Sequence, residues 1–268
     1  MRIAVLMTVH NRRETTIRCL ERLLAQMTVG ADGEERTSDL FLVDDGSTDG
    51  TSEAVKGLFR PPHSSSLHLI HGNGSLYWAK GMELAWRSAL EEEKRRAPTS
   101  TLNSNYSGFL WLNDDVELDA DALSRLEADS RSGDKIVVGE LENVKGEMTY
   151  GLRGDLFTGN FVFVPRAVYE KLGLICGEYA HAWADSDYAM RAKHAGIGVV
   201  SCGVVGRCEG HELRPSLRGR DLRWRWRSLW DPKGWCVHDV WLYKRRNFGF
   251  LQAVVSSVHL VLHVLFLI

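Results

Sequence analysis

Three places in this 268-residue chain put polar groups at the end of an apolar run. "FLWL" leads into Asn113, Asp114 and Asp115, and "LFLV" leads into Asp44 and Asp45. "IAVLMTV" carries Thr8 near its end and is followed by His10 and Asn11. Neighbouring carboxylates in one crevice repel, and desolvation raises the cost of ionising both. A bound divalent cation removes that cost. Hard oxygen ligands suit Mg²⁺ or Mn²⁺, and Mg²⁺ commonly keeps one or two carboxylates plus substrate phosphates. The Asn113–Asp115 triplet therefore has the chemistry of a metal–diphosphate platform. A further acidic pair, Asp185 and Asp187 in "AWADSDYAMRAKHAG", heads an amphipathic stretch with Arg191 one turn after Asp187. A single acid of this kind can simply cap a helix, which is the reading taken for Asp49. Asp187 could equally cap its helix or pair with Arg191.

Positioning such groups requires strands that end together. Short apolar runs alternate with segments of helical period. "IAVLMTV", "LFLVDD", "SLHLIHG", "GFLWLNDD" and "KIVVGEL" read as strands. Between them, "RRETTIRCLERLLAQM" repeats Ile17, Leu20, Leu23, Leu24 and Met27 at helical spacing. "GSTDGTSEAV", "WAKGMELAWRSALEEEKRR" and "DADALSRLEADSR" are further helices. The alternation predicts an α/β fold with helices on a mainly parallel, Rossmann-like sheet. In such sheets ligands bind beyond the carboxyl ends of the strands, so the three polar strand ends converge on one crevice. "VGADGEERTS", "RPPHSSS" and "RRAPTSTLNSNYS" read as loops.

Composition narrows the class. The chain is 44% hydrophobic and 25% charged, which is ordinary for a globular protein. A formal net charge of −2 gives no basic field for nucleic acid. Five cysteines form no C-x-x-C pair, which predicts reduced thiols in a cytoplasmic setting. "TVHNRRETT" after the first strand lacks glycine, which argues against both a dinucleotide-binding G-x-G-x-x-G turn and the Gly-rich loop of a nucleotidyltransferase.

Five segments occur together in order: "TVHNRRETTIRCLERLL", "LVDDGSTDGT", "GNGSLYWAKGMELAW", "FLWLNDDVEL" and "AWADSDYAMRAKHAG". In this set the chain resembles a family 2 glycosyltransferase of GT-A fold, over about residues 1–212, and among these the rhamnosyltransferase-like polysaccharide enzymes. The resemblance implies an inverting transfer from a nucleotide-sugar donor to a hydroxyl of a glycan or lipid-linked acceptor, with Mn²⁺ or Mg²⁺ as cofactor. A UDP-sugar is the default donor and a dTDP-deoxysugar the alternative. A catalytically dead sugar- or lipid-binding subunit is a rival from another class. Thr8 and Arg12 match positions that line the nucleotide, and Asp44 and Asp45 match acids at the base and ribose. Asn113 and Asp115 match the outer positions of the D-x-D motif. An amide is a poor metal ligand, so Asp115 is expected as main ligand with Asp114 as helper. His211 matches a late histidine that completes the metal or diphosphate site. Asp185 matches the catalytic base, although Ala184 stands where a Glu is common. Asn73 and Gly74 suit a tight turn, Gly81 a close backbone approach, and Lys80 either a phosphate contact or a plain surface position. Gly159, Asn160, Trp183 and Asp187 are expected on the acceptor side.

After about residue 210 the pattern changes, which suggests a catalytic domain over 1–210 and an extension over 211–268. "RDLRWRWRSLWDPKGW" interleaves Trp224, Trp226, Trp230 and Trp235 with arginines. Such rings stack on sugars, settle at membrane interfaces or close the base of a domain. The last segment, 248–268, is apolar except for a stripe of Gln252, Ser256, His259 and His263. That stripe fits an interfacial or partner-bound helix better than a spanning one. Lys244, Arg245 and Arg246 would then face the cytoplasmic side of a membrane. The expected setting is the inner membrane face, and a homodimer through the tail is an alternative.

Overall fold

The computed structural model describes residues 2–27, 37–59, 66–97, 105–209 and 214–267. His211, the expected domain boundary at 210/211 and most of the three expected loops lie outside these residues. The strands are β1 (Arg2–Val9), β2 (Thr37–Asp44), β3 (Ser66–His71), β4 (Gly108–Leu112), β5 (Glu117–Leu118), β6 (Ile136–Glu142), β7 (Met148–Tyr150), β8 (Leu152–Arg153), β9 (Leu156–Phe157), β10 (Phe161–Pro165) and β11 (Val199–Arg207). The helices are α1 (Arg13–Met27), α2 (Thr51–Leu58), α3 (Tyr77–Arg96), α4 (Ala122–Ser130), α5 (Arg166–Leu172), α6 (Ala184–His194), α7 (Leu222–Ser228), α8 (Val237–Phe248) and α9 (Phe250–Phe266).

The main sheet runs β3-β2-β1-β4-β10-β6-β11-β5, with β7 on β6. β3, β2, β1 and β4 are parallel neighbours, and β6 and β11 are parallel to each other. β10 is inserted antiparallel between β4 and β6. Purely parallel pairing is therefore broken at β10, the strand that follows Gly159 and Asn160. β1 and β4 read as unbroken apolar runs because helices cover both faces of the sheet. One core packs α3 and α6 under β1, β4 and β10 through Trp86, Trp111 and Tyr188. The other packs α1 and α4 on the opposite face through Leu20, Leu23 and Leu126. The order of the strands reverses at β1, between β2 and β4, which places the crevice at the ends of those three strands.

All five cysteines are free thiols, and burial pushes the Cys202 and Cys208 thiols up, Cys202 to about 12. The C-terminal helices form a small core of their own from Leu217, Leu229, Val240, Leu260 and Val264. Among the described residues no helix is long and apolar enough to cross a membrane.

Candidate active site

The polar strand ends meet as expected, but most of their acids are already engaged inside the protein. Asp44 is 2% exposed; it accepts from Ser47 N–H at 2.8 Å and from the Ser52 hydroxyl. Asp45 is 4% exposed and accepts from Gly74 N–H at 2.8 Å, Leu76 N–H at 2.9 Å and Tyr77 N–H at 3.0 Å. These last two are free N–H groups at the start of α3, whose own N-cap, Leu76, offers no side-chain acceptor. Asp45 thus caps α3 from a distant strand, and its charge favours that end of the helix. Both acids, expected at the base and ribose, thus also frame the loops around the crevice. Gly46 and Gly74, at φ 75° and 85°, let the two loops touch: a Cβ on Gly46 would lie 3.0 Å from Gly74 N.

Thr8 is packed beneath α3, where a Cβ on Gly81 would lie 2.5 Å from its Oγ1 and Cγ2. The Thr8 hydroxyl is enclosed and makes no hydrogen bond. Asn73 is exposed and turns on itself, accepting from Ser75 N–H at 3.0 Å and Ser75 Oγ at 2.7 Å. Lys80 is exposed on the first turn of α3. Asp49 accepts from Thr51 N–H at 3.1 Å and Arg13 N–H at 2.9 Å, a local role at the start of α2.

The Asn113–Asp115 triplet is held from both sides. Arg12 Nη1 donates to Asp114 at 2.9 Å and Asp115 at 3.1 Å. Asp114 also accepts from the Thr16 hydroxyl at 3.3 Å, and burial pushes its carboxyl up to about 6 against the pull of Arg12. Asn113 Oδ1 accepts from Trp78 Nε1 at 2.8 Å, and Asn113 N–H donates to Asn160 O at 3.0 Å. Trp78 in turn lies against Gly159, where a Cβ would come within 2.5 Å of its ring. Gly159 N–H donates to Asp185 Oδ2 at 3.1 Å, and Ser186 N–H donates to Asp185 Oδ1 at 2.7 Å. The chain Asn113–Trp78–Gly159–Asp185 therefore connects the strand ends to the head of α6. Burial raises the Asp185 carboxyl above its ordinary value, against the lowering effect of those N–H groups.

Asp187, expected on the acceptor side, is engaged within the protein. It is fully buried; Tyr179 OH donates to it at 3.1 Å, Arg246 Nε at 3.1 Å and Asn247 Nδ2 at 3.0 Å, and Arg191 pairs with it at 3.2 Å. The Arg191 pairing foreseen from the spacing is present, and α8 supplies the rest. Arg246 pairs with Asp187 through Nε while its side chain stays 36% exposed. Trp183 is the N-cap of α6 in the left-handed region, φ 74°, with its ring tilted on Tyr243 at 4.6 Å. Such a conformation in a bulky residue has to be held by its surroundings.

Two positions in the framework around the crevice carry no local sequence signal. Trp78 is a ring in an amphipathic helix, and only the fold shows its partners. Asp239 in α8 is fully buried and accepts from Ala180 N–H at 2.9 Å, His181 N–H at 3.2 Å and Ala182 N–H at 3.3 Å. It fixes the loop that delivers Trp183 and Asp185.

Among the described residues no group of three or more His, Cys, Asp or Glu could by itself hold a metal ion. A divalent ion beside the triplet would therefore need oxygens from a bound diphosphate as well as from the protein.

The glycosyl transferase family 2 model matches residues 4–188, and the chain belongs to that family. Its described structure is a GT-A glycosyltransferase fold. A mannosyltransferase from Pyrobaculum calidifontis, solved with GDP-Man and Mn²⁺, is similar at TM-score 0.58 and 17% identity, over 98% of this chain and 73% of that one. TarS of S. aureus is similar at TM-score 0.57 and 16% identity, over 78% of this chain. This chain spans 36% of TarS. A shorter TarS, 1–349, solved with UDP-GlcNAc, gives TM-score 0.56 at 13% identity, over 96% of this chain and 73% of that one. No curated protein matches the sequence.

Proposed function

We propose that the protein transfers a sugar, with inversion, from a nucleoside-diphosphate donor to a hydroxyl of a glycan or lipid-linked acceptor, with Asp185 as base. The observation that carries this is the chain from Asn113 through Trp78 and Gly159 to Asp185, which joins the diphosphate end of the crevice to a desolvated carboxylate. The acceptor oxygen attacks the anomeric carbon and its proton passes to Asp185. The bond from that carbon to the diphosphate oxygen breaks, and the diphosphate leaves with the electron pair. Arg12, on the rim beside Asp114 and Asp115, is placed to meet its charge. A divalent ion held by Asp115, with His211 as a further candidate ligand, would supply additional charge stabilisation there.

A uridine donor is the default and a dTDP-deoxysugar the alternative. Titration of purified protein with UDP, dTDP and GDP, each with Mn²⁺ and with chelator, tests the reading. Metal-dependent binding of one nucleotide, lost in Asp115→Ala, is expected. Failure of folded protein to bind any of them would favour a non-catalytic subunit, a reading to which the neutralisation of Asp114 and Asp115 by Arg12 lends some support.

We also propose a peripheral membrane contact through α7 and α9. Leu222, Trp226 and Trp230 are exposed on α7 and just after it, next to exposed Arg223 and Arg227. Phe250, Leu251, Val255, Val258 and Leu262 are exposed on α9. Apolar side chains flanked by arginines suit an anionic lipid surface. Deleting 248–268 would strip Ala253 and Val264 from a core, so the test is Leu251→Asp with Val255→Asp. Flotation with anionic vesicles should be lost in that variant; unchanged flotation rejects the contact.

A further inference from the structure

The polar stripe of α9 finds its place in a cavity, which none of the roles above uses. A cavity of about 350 Å³ opens between α8 and α9, beside the head of α6. Ser256, His259 and His263, three of the four stripe residues, line it. Its walls carry two indoles, Trp183 and Trp235, and two cations, Arg214 and Lys244. The Arg214 guanidinium lies 5.8 Å from the Trp183 ring centre and 4.9 Å from that of Trp235. Lys244 Nζ lies 4.8 Å from the Phe248 ring centre. Among the described residues neither cation is paired with a carboxylate, and no acid lines the cavity. Burial also lowers the Arg214 guanidinium from its ordinary value, a sign that its charge is incompletely solvated.

Each feature constrains the occupant. Unpaired cations in a half-buried wall call for an anion, and guanidinium and ammonium groups both suit phosphate. Flat indole faces suit the apolar face of a sugar ring. The volume lies near the lower end of the range for small-ligand pockets, about 300–1,000 Å³. Trp183 stands two residues before Asp185, so an occupant of the cavity is a neighbour of the proposed base.

We propose that this cavity binds a phosphate-bearing sugar unit of the acceptor. The inference rests on the glycosyltransferase reading for the word acceptor, but not for the binding itself. It also explains the polar stripe: the stripe faces a ligand site on one flank of α9, while Leu251, Val255 and Leu262 face outward.

Glucose 1-phosphate is the probe, followed by quenching of tryptophan fluorescence in the full chain, with glucose, inorganic phosphate and glucuronate as comparisons. Saturable quenching is expected with glucose 1-phosphate, about tenfold stronger than with any of the three, since glucose lacks the charged contacts, inorganic phosphate the ring stacked on indole, and glucuronate the phosphate. Arg214→Ala and, separately, the less enclosed Lys244→Ala should each weaken it by about tenfold, while nucleotide binding in the same preparations stays at the wild-type level. Equal binding of glucuronate or inorganic phosphate overturns the sugar-phosphate assignment. Wild-type affinity in the Lys244→Ala protein overturns the site. Nucleotide binding without sugar-phosphate binding rejects this cavity and leaves the enzyme reading intact. Sugar-phosphate binding without nucleotide binding does the reverse. The same sugar phosphate joined to a prenol, offered in micelles, tells a lipid-borne unit from a soluble one: tighter binding than the free ester assigns the former, and equal binding the latter.

Discussion

The two sides of the crevice are built by opposite means. On the donor side the framing acids belong to the sheet itself: Asp44 and Asp45 at the end of β2 hold the two loops that follow β2 and β3. On the acceptor side the support comes from outside the family-matched segment of residues 4–188: Asp239 of α8 holds the loop before α6, and Arg246 and Asn247 hold Asp187 in the first turn of α6. The first side is closed locally; the second depends on the C-terminal extension. Tyr77 and His181, with ring centres 6.2 Å apart, are where the two sides touch. The difference teaches that the extension holds the segment carrying Trp183 and Asp185, and on the proposed mechanism it then belongs to the catalytic apparatus.

Variants on the two sides should therefore fail differently. The largest effect on turnover belongs to Asp185→Asn. Loss of a general base predicts a fall in kcat of about 10²–10⁴-fold with nucleotide affinity unchanged. Asn keeps only one acceptor oxygen for the Gly159 and Ser186 N–H groups, a loss set against relief of a desolvated charge, so thermal stability should change little. Folding raises the Asp185 pKa, so its ionised form costs stability at neutral pH, a cost that disappears as pH falls through the raised value. For turnover the sign is opposite, because the base must be ionised. The acid limb of kcat/KM should then lie above the pH at which an ordinary Asp titrates, and a limb at the ordinary value would contradict the assignment.

Asp187→Ala is the severest lesion to stability. It strands Arg246 and Arg191 beside a buried cavity, at a cost of about 3–5 kcal/mol, readable by urea denaturation. Asp239→Ala frees three N–H groups and should cost about 1–3 kcal/mol. Its sharper signature is functional: kcat should fall while nucleotide Kd holds. Asp45→Ala should do the converse, weakening nucleotide binding by loosening the start of α3. Equal loss of nucleotide binding in both would erase the distinction between the sides. Smallest is Trp78→Phe, which removes one hydrogen bond to Asn113, about 0.5–1.5 kcal/mol, measurable as a shift in the denaturation midpoint.

Much of this was legible in the sequence. Apolar runs ending in polar groups marked β1, β2 and β4 and the end of the sheet where they meet, because buried strands admit little else. The turn glycines and the Asp187–Arg191 spacing also read through. What did not read through depends on contacts distant in the chain. Asp44 and Asp45 read as ligand-facing acids, and their second task, accepting N–H groups of loops up to 32 residues away in the case of Asp45, has no local signal. Lys244 to Arg246 looked like a membrane-flanking run, yet Arg246 pairs with Asp187 and Lys244 lines a cavity. Asp239 and Trp78 resemble many other residues of amphipathic helices, and only their partners make them functional. The antiparallel entry of β10 was hidden because a buried antiparallel strand has the same apolar pattern as a parallel one.

The most direct test of the central claim is to assay wild-type and Asp185→Asn side by side for nucleotide affinity and for release of nucleoside diphosphate from whichever donor class binds. The account predicts equal affinity and a loss of turnover of about 10²-fold or more in the variant. Turnover at the wild-type rate in Asp185→Asn, with binding intact, would contradict it and move the base elsewhere in the crevice.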